Sequence, residues 1–105
     1  MNTEQIVMEI IINAGDARAH VYEALEKANR GDFKGAYESI ELSNEAIGRA
    51  HEIQTSLLQK EAAGEKMEVT ILFVHSQDHL MTAITEKNLI VQIIELRKQL
   101  YPLLS

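Results

Sequence analysis

The chain has 105 residues, 46% of them hydrophobic and 25% charged, with one proline and five glycines; that suits a single packed domain and excludes a disordered or loop-dominated chain. A net charge of −6 with no Lys/Arg cluster argues against nucleic acid as a partner. The absence of cysteine removes disulfides, thiolate nucleophiles and thiolate metal sites together.

The N-terminal stretch MNTEQIVMEIIINAGDARAH has no basic leader and places Glu4 and Glu9 among its apolar residues. It reads as neither a signal peptide nor a membrane span, and a cytoplasmic protein is the expectation. From about Thr3 to Asn29, Ile6, Ile10, Ala14, Val21, Leu25 and Ala28 recur at helical spacing. The helix should end at NRGD, where Gly31 can turn left-handed and Asp32 can cap the next helix. Gly15 stands inside this first helix, where glycine costs about 1 kcal/mol relative to alanine. Some need for it, such as close packing, is expected.

A second helix, 33–62, carries Ala36, Ile40, Ile47, Ala50, Leu57 and Leu58 and stops near Gly64. A third is predicted over 67–101, closing before Pro102, with Arg97 and Lys98 in its last turns to complement the helix dipole. Short links between long helices require antiparallel neighbours. The fold is therefore predicted to be all-α, an antiparallel up-down-up three-helix bundle forming one domain over residues 1–105.

The third helix is apolar on two sides. Phe73, Leu80, Ile84, Val91 and Ile94 suit the core of one chain; Ile71, Val74, Met81, Leu89, Ile93 and Leu96 lie roughly opposite. Three helices in a monomer cover only one of these sides, so self-association through this helix is expected. Asp78 falls on the second side, between Val74 and Met81. A carboxylate in an apolar interface costs several kcal/mol unless paired, protonated or metal-bound. Around a symmetry axis, copies of Asp78 would face one another and call for a shared cation or proton.

His75 and His79 sit one turn apart on the flank of that side. The zinc-protease helix needs glutamate directly after its first histidine, where Ser76 stands, and the Glu-x-x-His elements of di-iron bundles are absent here. A neutral imidazole, abundant near pH 7, can instead accept and pass on a phosphoryl group, with Ser76, Gln77 and His79 offering hydrogen bonds. The alternative for this pair is an ordinary placement at a helix edge, and His20 and His51 are read that way. Met8, Met67 and Met81 read as packing.

The blocks AGDAR (14–18), GDF (31–33), AHEIQTSLL (50–58), EAAGE (61–65) and VHSQDHLMT (74–82) together closely resemble the IIA component of the lactose/cellobiose (N,N'-diacetylchitobiose) family of the bacterial phosphoenolpyruvate-dependent sugar phosphotransferase system. The resemblance implies a homotrimer of three-helix subunits and a phosphotransferase component. His75 would accept phosphate from phospho-HPr and pass it to a cysteine of the IIB component, which serves the membrane component IIC. Gln77 and His79 would line the phosphohistidine pocket, as supporting residues. Asp78, one from each subunit, would surround Mg2+ or a similar divalent cation near the threefold axis. Ser76 takes a position that is often glycine in the family. Two other classes remain in view: a histidine phosphotransfer signalling domain, whose usual lysine and glycine are replaced here by Asp78 and His79, and a non-catalytic helical oligomerisation module. Which disaccharide is transported stays open among cellobiose, lactose and chitobiose types, with a lean toward cellobiose.

Overall fold

The computed structural model describes residues 3–104. The described residues form three α-helices: α1 (Thr3–Asn29), α2 (Phe33–Ala62) and α3 (Ile71–Leu104). They form a rod with extents of 58 × 20 × 19 Å.

Local chemistry sets the helix ends. At Gly31, φ is +84°; the amide of Gly31 donates to the Ala28 carbonyl (3.0 Å) and that of Asp32 to the Lys27 carbonyl (2.9 Å). This pair of bonds satisfies the last carbonyls of α1 and requires a residue at ease with positive φ. The same closure recurs at Gly64, φ +93°, with Gly64 bonded to Glu61 and Glu65 to Lys60. Asp32 then opens α2, its carboxylate accepting from the Gly35 amide at 2.9 Å.

The start of α3 differs from the expectation. Residues 67–70 are not helical, and the helix begins at Ile71 rather than Met67. Thr70 is the cause: its hydroxyl oxygen accepts from the Phe73 amide at 3.0 Å, satisfying a first-turn donor. Met67, freed from the helix, packs against the cluster around Ile10 and Leu80 and closes that end of the bundle. The far end also differs, since α3 runs through Pro102 to Leu104. A proline keeps a helical φ but lacks the amide that would bond four residues back, and here only two helical residues follow it. Tyr101 meets Phe33 edge to face, ring centroids 5.5 Å apart, and so holds this end against the start of α2. Because the helix is longer than expected, Arg97 and Lys98 lie before its last turn. Lys98 sits 5.2 Å from the centroid of the Tyr37 ring, a cation–π contact rather than a dipole partner.

The core is layered along the rod. At one end Ile10, Ala50, Leu57 and Leu80 meet; at the waist Ala14, Ala17, Ala46 and Ala83; at the other end Val21, Ala28, Ala36, Ile40, Ile90 and Ile94. Along these layers residue numbers rise together in α1 and α3 and fall in α2, so the order is up-down-up, as expected. Of the residues expected to be core, Leu58 is the exception: it is exposed while Leu57 is buried.

On α3, Leu80 and Ile94 are fully buried, and Phe73, Ile84 and Val91 are half-buried. Its second apolar side is uncovered. Ile71, Val74, Met81, Leu89, Ile93 and Leu96 are each between 46% and 90% exposed. Burying a side chain of this size is worth about 1.5–3 kcal/mol, so one face of one helix holds a large unused association energy.

Candidate functional site

The site begins at the capped end of α3. Thr70 fixes the first turn, and one turn later Ser76, fully buried, donates its hydroxyl to the Phe73 carbonyl at 2.6 Å. With Ser76 and Leu80 turned into the bundle, the neighbouring positions 75, 78 and 79 fall on the outer flank. His75 and Asp78 are exposed, and His79 is half-buried.

His75 and His79 meet edge to face, with ring centroids 5.6 Å apart and an interplanar angle of 89°. His79 Nδ1 is buried without a hydrogen-bond partner among the described residues. His75 also lines a shallow open groove with Val69, Thr70, Ile71, Val74 and Asp78. Asp78 is the wall between this groove and a second one formed with Met81, Thr82, Thr85 and Glu86. Among the described residues Asp78 has no ion-pair partner.

The fourth residue singled out from sequence, Gln77, points elsewhere. Its Oε1 accepts from Gln54 of α2 and its Nε2 lies 3.4 Å from Ser76 Oγ. Two residues apart on a helix means a separation of roughly 200°, which turns Gln77 toward α2 and away from His75. Gln77 thus ties α3 to α2 beneath the histidines. Gln54 carried no signal of its own in the sequence. Thr70 did, as a hydroxyl residue one step before an apolar helical run.

The electrostatics beside the site centre on Glu86. Arg18 of α1 forms an ion pair with it at 2.8 Å, and the Tyr22 hydroxyl donates to its other carboxylate oxygen. That bond raises the Tyr22 pKa above 10.0, because ionisation would lose the bond and set a phenolate against a carboxylate of like charge. His20 lies 3.4 Å from the Glu23 carboxylate on α1, and His51 is exposed on α2. Among the described residues neither shares an ion pair or ring contact with the His75–His79 pair.

A divalent cation such as Mg2+ prefers six oxygen ligands. Among the described residues no group of three or more His, Cys, Asp or Glu side chains could hold a metal. One chain supplies a single exposed carboxylate at Asp78, so the donor set fits a cation only where several copies meet.

The grooves can accommodate a group arriving from outside. An exposed imidazole, its edge-to-face neighbour and a helix flank open to another macromolecule suit a nucleophile that serves a protein partner. No described helix is long and apolar enough to cross a membrane.

Comparison with known proteins gives a consistent result. Residues 5–98 match the family described as the lactose/cellobiose-specific IIA subunit of the PTS system. The chain is 43% identical over 97 residues to the lichenan-specific phosphotransferase enzyme IIA component of Bacillus subtilis strain 168, covering 92% of this chain and 88% of that protein. It is equally identical to the N,N'-diacetylchitobiose-specific EIIA component of Escherichia coli K12, covering 92% of this chain and 84% of that one. Against the lactose-specific EIIA component of Staphylococcus aureus N315 the identity is 44%, covering 94% and 99%. Among solved structures, the cellobiose-specific enzyme IIA from Bacillus anthracis superposes with a TM-score of 0.92 at 46% identity, covering 97% of this chain and 94% of that one. The IIA(chitobiose) chain from its complex with HPr, of the Escherichia coli phosphotransferase system, gives 0.85 at 40% identity, covering 96% and 98%.

Proposed function

Because the chain belongs to the lactose/cellobiose-specific IIA family, and is a phosphotransferase component of a sugar phosphotransferase system, we propose that His75 is the residue that carries the phosphoryl group. The observation that carries the reading is the exposed His75 imidazole, set edge to face against His79 in an open groove. The donor is HPr, the partner in the solved complex of a similar chain. The acceptor is a cysteine of a IIB component, and IIC receives the phosphate's effect indirectly, through sugar uptake. All of this takes place in the cytoplasm.

In the first step an unprotonated nitrogen of His75 attacks phosphorus of the donor phosphohistidine. A P–N bond to His75 forms as the donor P–N bond breaks, and the donor imidazole leaves with the electron pair. In the second step a cysteine thiolate attacks the same phosphorus in line; the P–S bond forms as the P–N bond to His75 breaks, and its electron pair returns to the imidazole. Such transfers depend on positioning and charge stabilisation more than on acid–base chemistry. In this reading His79, edge to face with His75, orients its ring. Gln77 acts more remotely, by fixing α3 against α2 through Gln54. A surround of neutral donors alone is the simplest expectation for an anion acceptor, yet Asp78 lines the same groove.

The exposed face of α3 is the interface of a homotrimer in this reading. It brings three copies of Asp78 together around the axis, where they would hold a divalent cation such as Mg2+. The cation's charge would offset carboxylate repulsion there. The transported sugar is a disaccharide of the cellobiose, lactose or chitobiose type, cellobiose being favoured. The signalling-domain and bare oligomerisation alternatives give way to the family membership.

The test is direct: label the chain from radioactive phosphoenolpyruvate with enzyme I and HPr, then map the acid-labile, base-stable phosphate. Recovery on the peptide containing His75 is expected; recovery on His20 or His51 would refute the assignment.

A further inference from the structure

Gly15 has no structural reason to be glycine within this chain. It lies inside α1, where glycine weakens a helix relative to alanine. Its φ is not positive, unlike those of Gly31 and Gly64. A Cβ built on it would meet nothing within 4 Å, so the expected close packing is not found in the chain. Gly48 in α2 shares that freedom, but its helical neighbours Glu41, Asn44, Glu45, His51 and Glu52 are polar.

The surroundings of Gly15 are different. It shares one stripe of α1 with Met8, Ile12, Ala19 and Tyr22, all exposed. The stripe is rotated about 150° from the buried positions of α1. Exposed Glu4 and Glu26 lie at its two ends, with exposed Asp16 beside it. Tyr22 places the stripe relative to α3, because its hydroxyl donates to Glu86. Glu86 is seven residues, two helical turns, beyond His79 on the same flank of α3. The core pairs Ile10 with Leu80 and Ala14 with Ala83, which sets Met8 and Ile12 level with the stretch containing His79. Stripe and histidines therefore lie on the same side of the α1–α3 pair.

Building on the assignment of His75 as phosphoacceptor, we infer that Gly15 is a docking residue for the phosphohistidine donor protein, kept without a side chain so that the donor's main chain can seat on the α1 stripe while its histidine reaches His75. The acidic rim around an apolar strip fits a donor surface that is apolar and ringed by cations, in keeping with this chain's net charge of −6. Self-association has its own, larger face on α3, so the α1 stripe is assigned to the donor rather than to a second copy.

Three variants of the full chain test this: Gly15→Ala, Gly15→Gln and, as the control, Gly48→Ala. Each is read by thermal melting, by sedimentation and by rapid-quench transfer from phospho-HPr. All three should melt at or above the wild-type temperature with unchanged assembly. Transfer should be unaffected in Gly48→Ala and slowed at least tenfold in Gly15→Gln. Wild-type transfer rates in Gly15→Gln would overturn the proposal, and so would loss of its assembly, which would give the stripe to a second copy. Labelling of wild type at His75 in the same reaction checks the underlying reading. Its failure removes both ideas, whereas its success with an unslowed Gly15→Gln removes only this one.

Discussion

His75 and Asp78, one turn apart, line the same shallow groove at the start of α3, and only Asp78 also faces the groove beyond, with Met81 and Thr82. The two residues thus divide the exposed flank of one helix. The imidazole lies toward α1, where a partner protein can reach it, and the carboxylate lies on the middle of the uncovered apolar face. In the proposed reading, a spacing of three residues sets phosphoryl transfer and assembly side by side.

That division gives a prediction for Asp78. Asp78→Leu removes a carboxylate from the centre of the apolar face, so the proposed trimer should persist or tighten, and the proposed binding of Mg2+ or Mn2+ should be lost. Sedimentation and calorimetric metal titration read the two effects separately. Dissociation of this variant would contradict the axial placement.

Charge introduced elsewhere on the same face should act in the opposite way. Leu89→Lys places an ammonium where a 60% exposed leucine stands in the single chain. Because Leu89 lies outside the three core clusters, the helical circular dichroism should stay near wild type. The sedimentation coefficient should fall to that of a monomer. A variant that remains a trimer would mean that α3 is not at the centre of the assembly.

The cap at Thr70 should matter more than its exposed position suggests. Thr70→Ala leaves the Phe73 amide without its 3.0 Å acceptor, at a cost of about 1 kcal/mol. For a domain of this size that corresponds to a melting temperature lower by roughly 4–8 °C. Thr70→Asp should preserve stability, since aspartate caps at least as well. An unchanged melting temperature in Thr70→Ala would leave the start of α3 unexplained.

The helices themselves were largely legible in the sequence, because apolar spacing and the glycines at 31 and 64 report strong, local physics. The start of α3 was not. Met67, Ile71 and Val74 continue a helical spacing, and only the competing bond from Thr70 shows that the first of them belongs to the link. Leu57 and Leu58 are adjacent apolar residues that periodicity alone ranks poorly, and the bundle buried the first. At the site, the positions of His75, Asp78 and His79 on one flank came from spacings of three and four residues. Gln77 was grouped with them by proximity in sequence, but it lies around the helix and meets Gln54 on α2, a long-range partner that no local pattern announces.

Alkaline titration offers an independent check on the α1–α3 contact. The Tyr22 pKa is raised from 10.0, first by its bond to Glu86, and that of Tyr37 by its bond to Glu95. A folded-state pKa above the unfolded value means that the stabilising contribution is complete below pH 10 and is lost as pH rises through the raised value. Tyrosinate absorbance should therefore show titration late relative to a free tyrosine, and Glu86→Gln should move one of the late transitions down. No movement would mean that Tyr22 and Glu86 are not bonded in solution.

The assignment of His75 is tested most directly by phosphoryl labelling of two variants, His75→Gln and His79→Gln, from phosphoenolpyruvate, enzyme I and HPr, with assembly confirmed by sedimentation. His75→Gln should remain a folded assembly and take up no acid-labile phosphate, whereas His79→Gln should still be labelled, more slowly, if the proposed role of His79 is to orient the acceptor. Full labelling of His75→Gln, or abolished labelling in His79→Gln alone, would contradict the account.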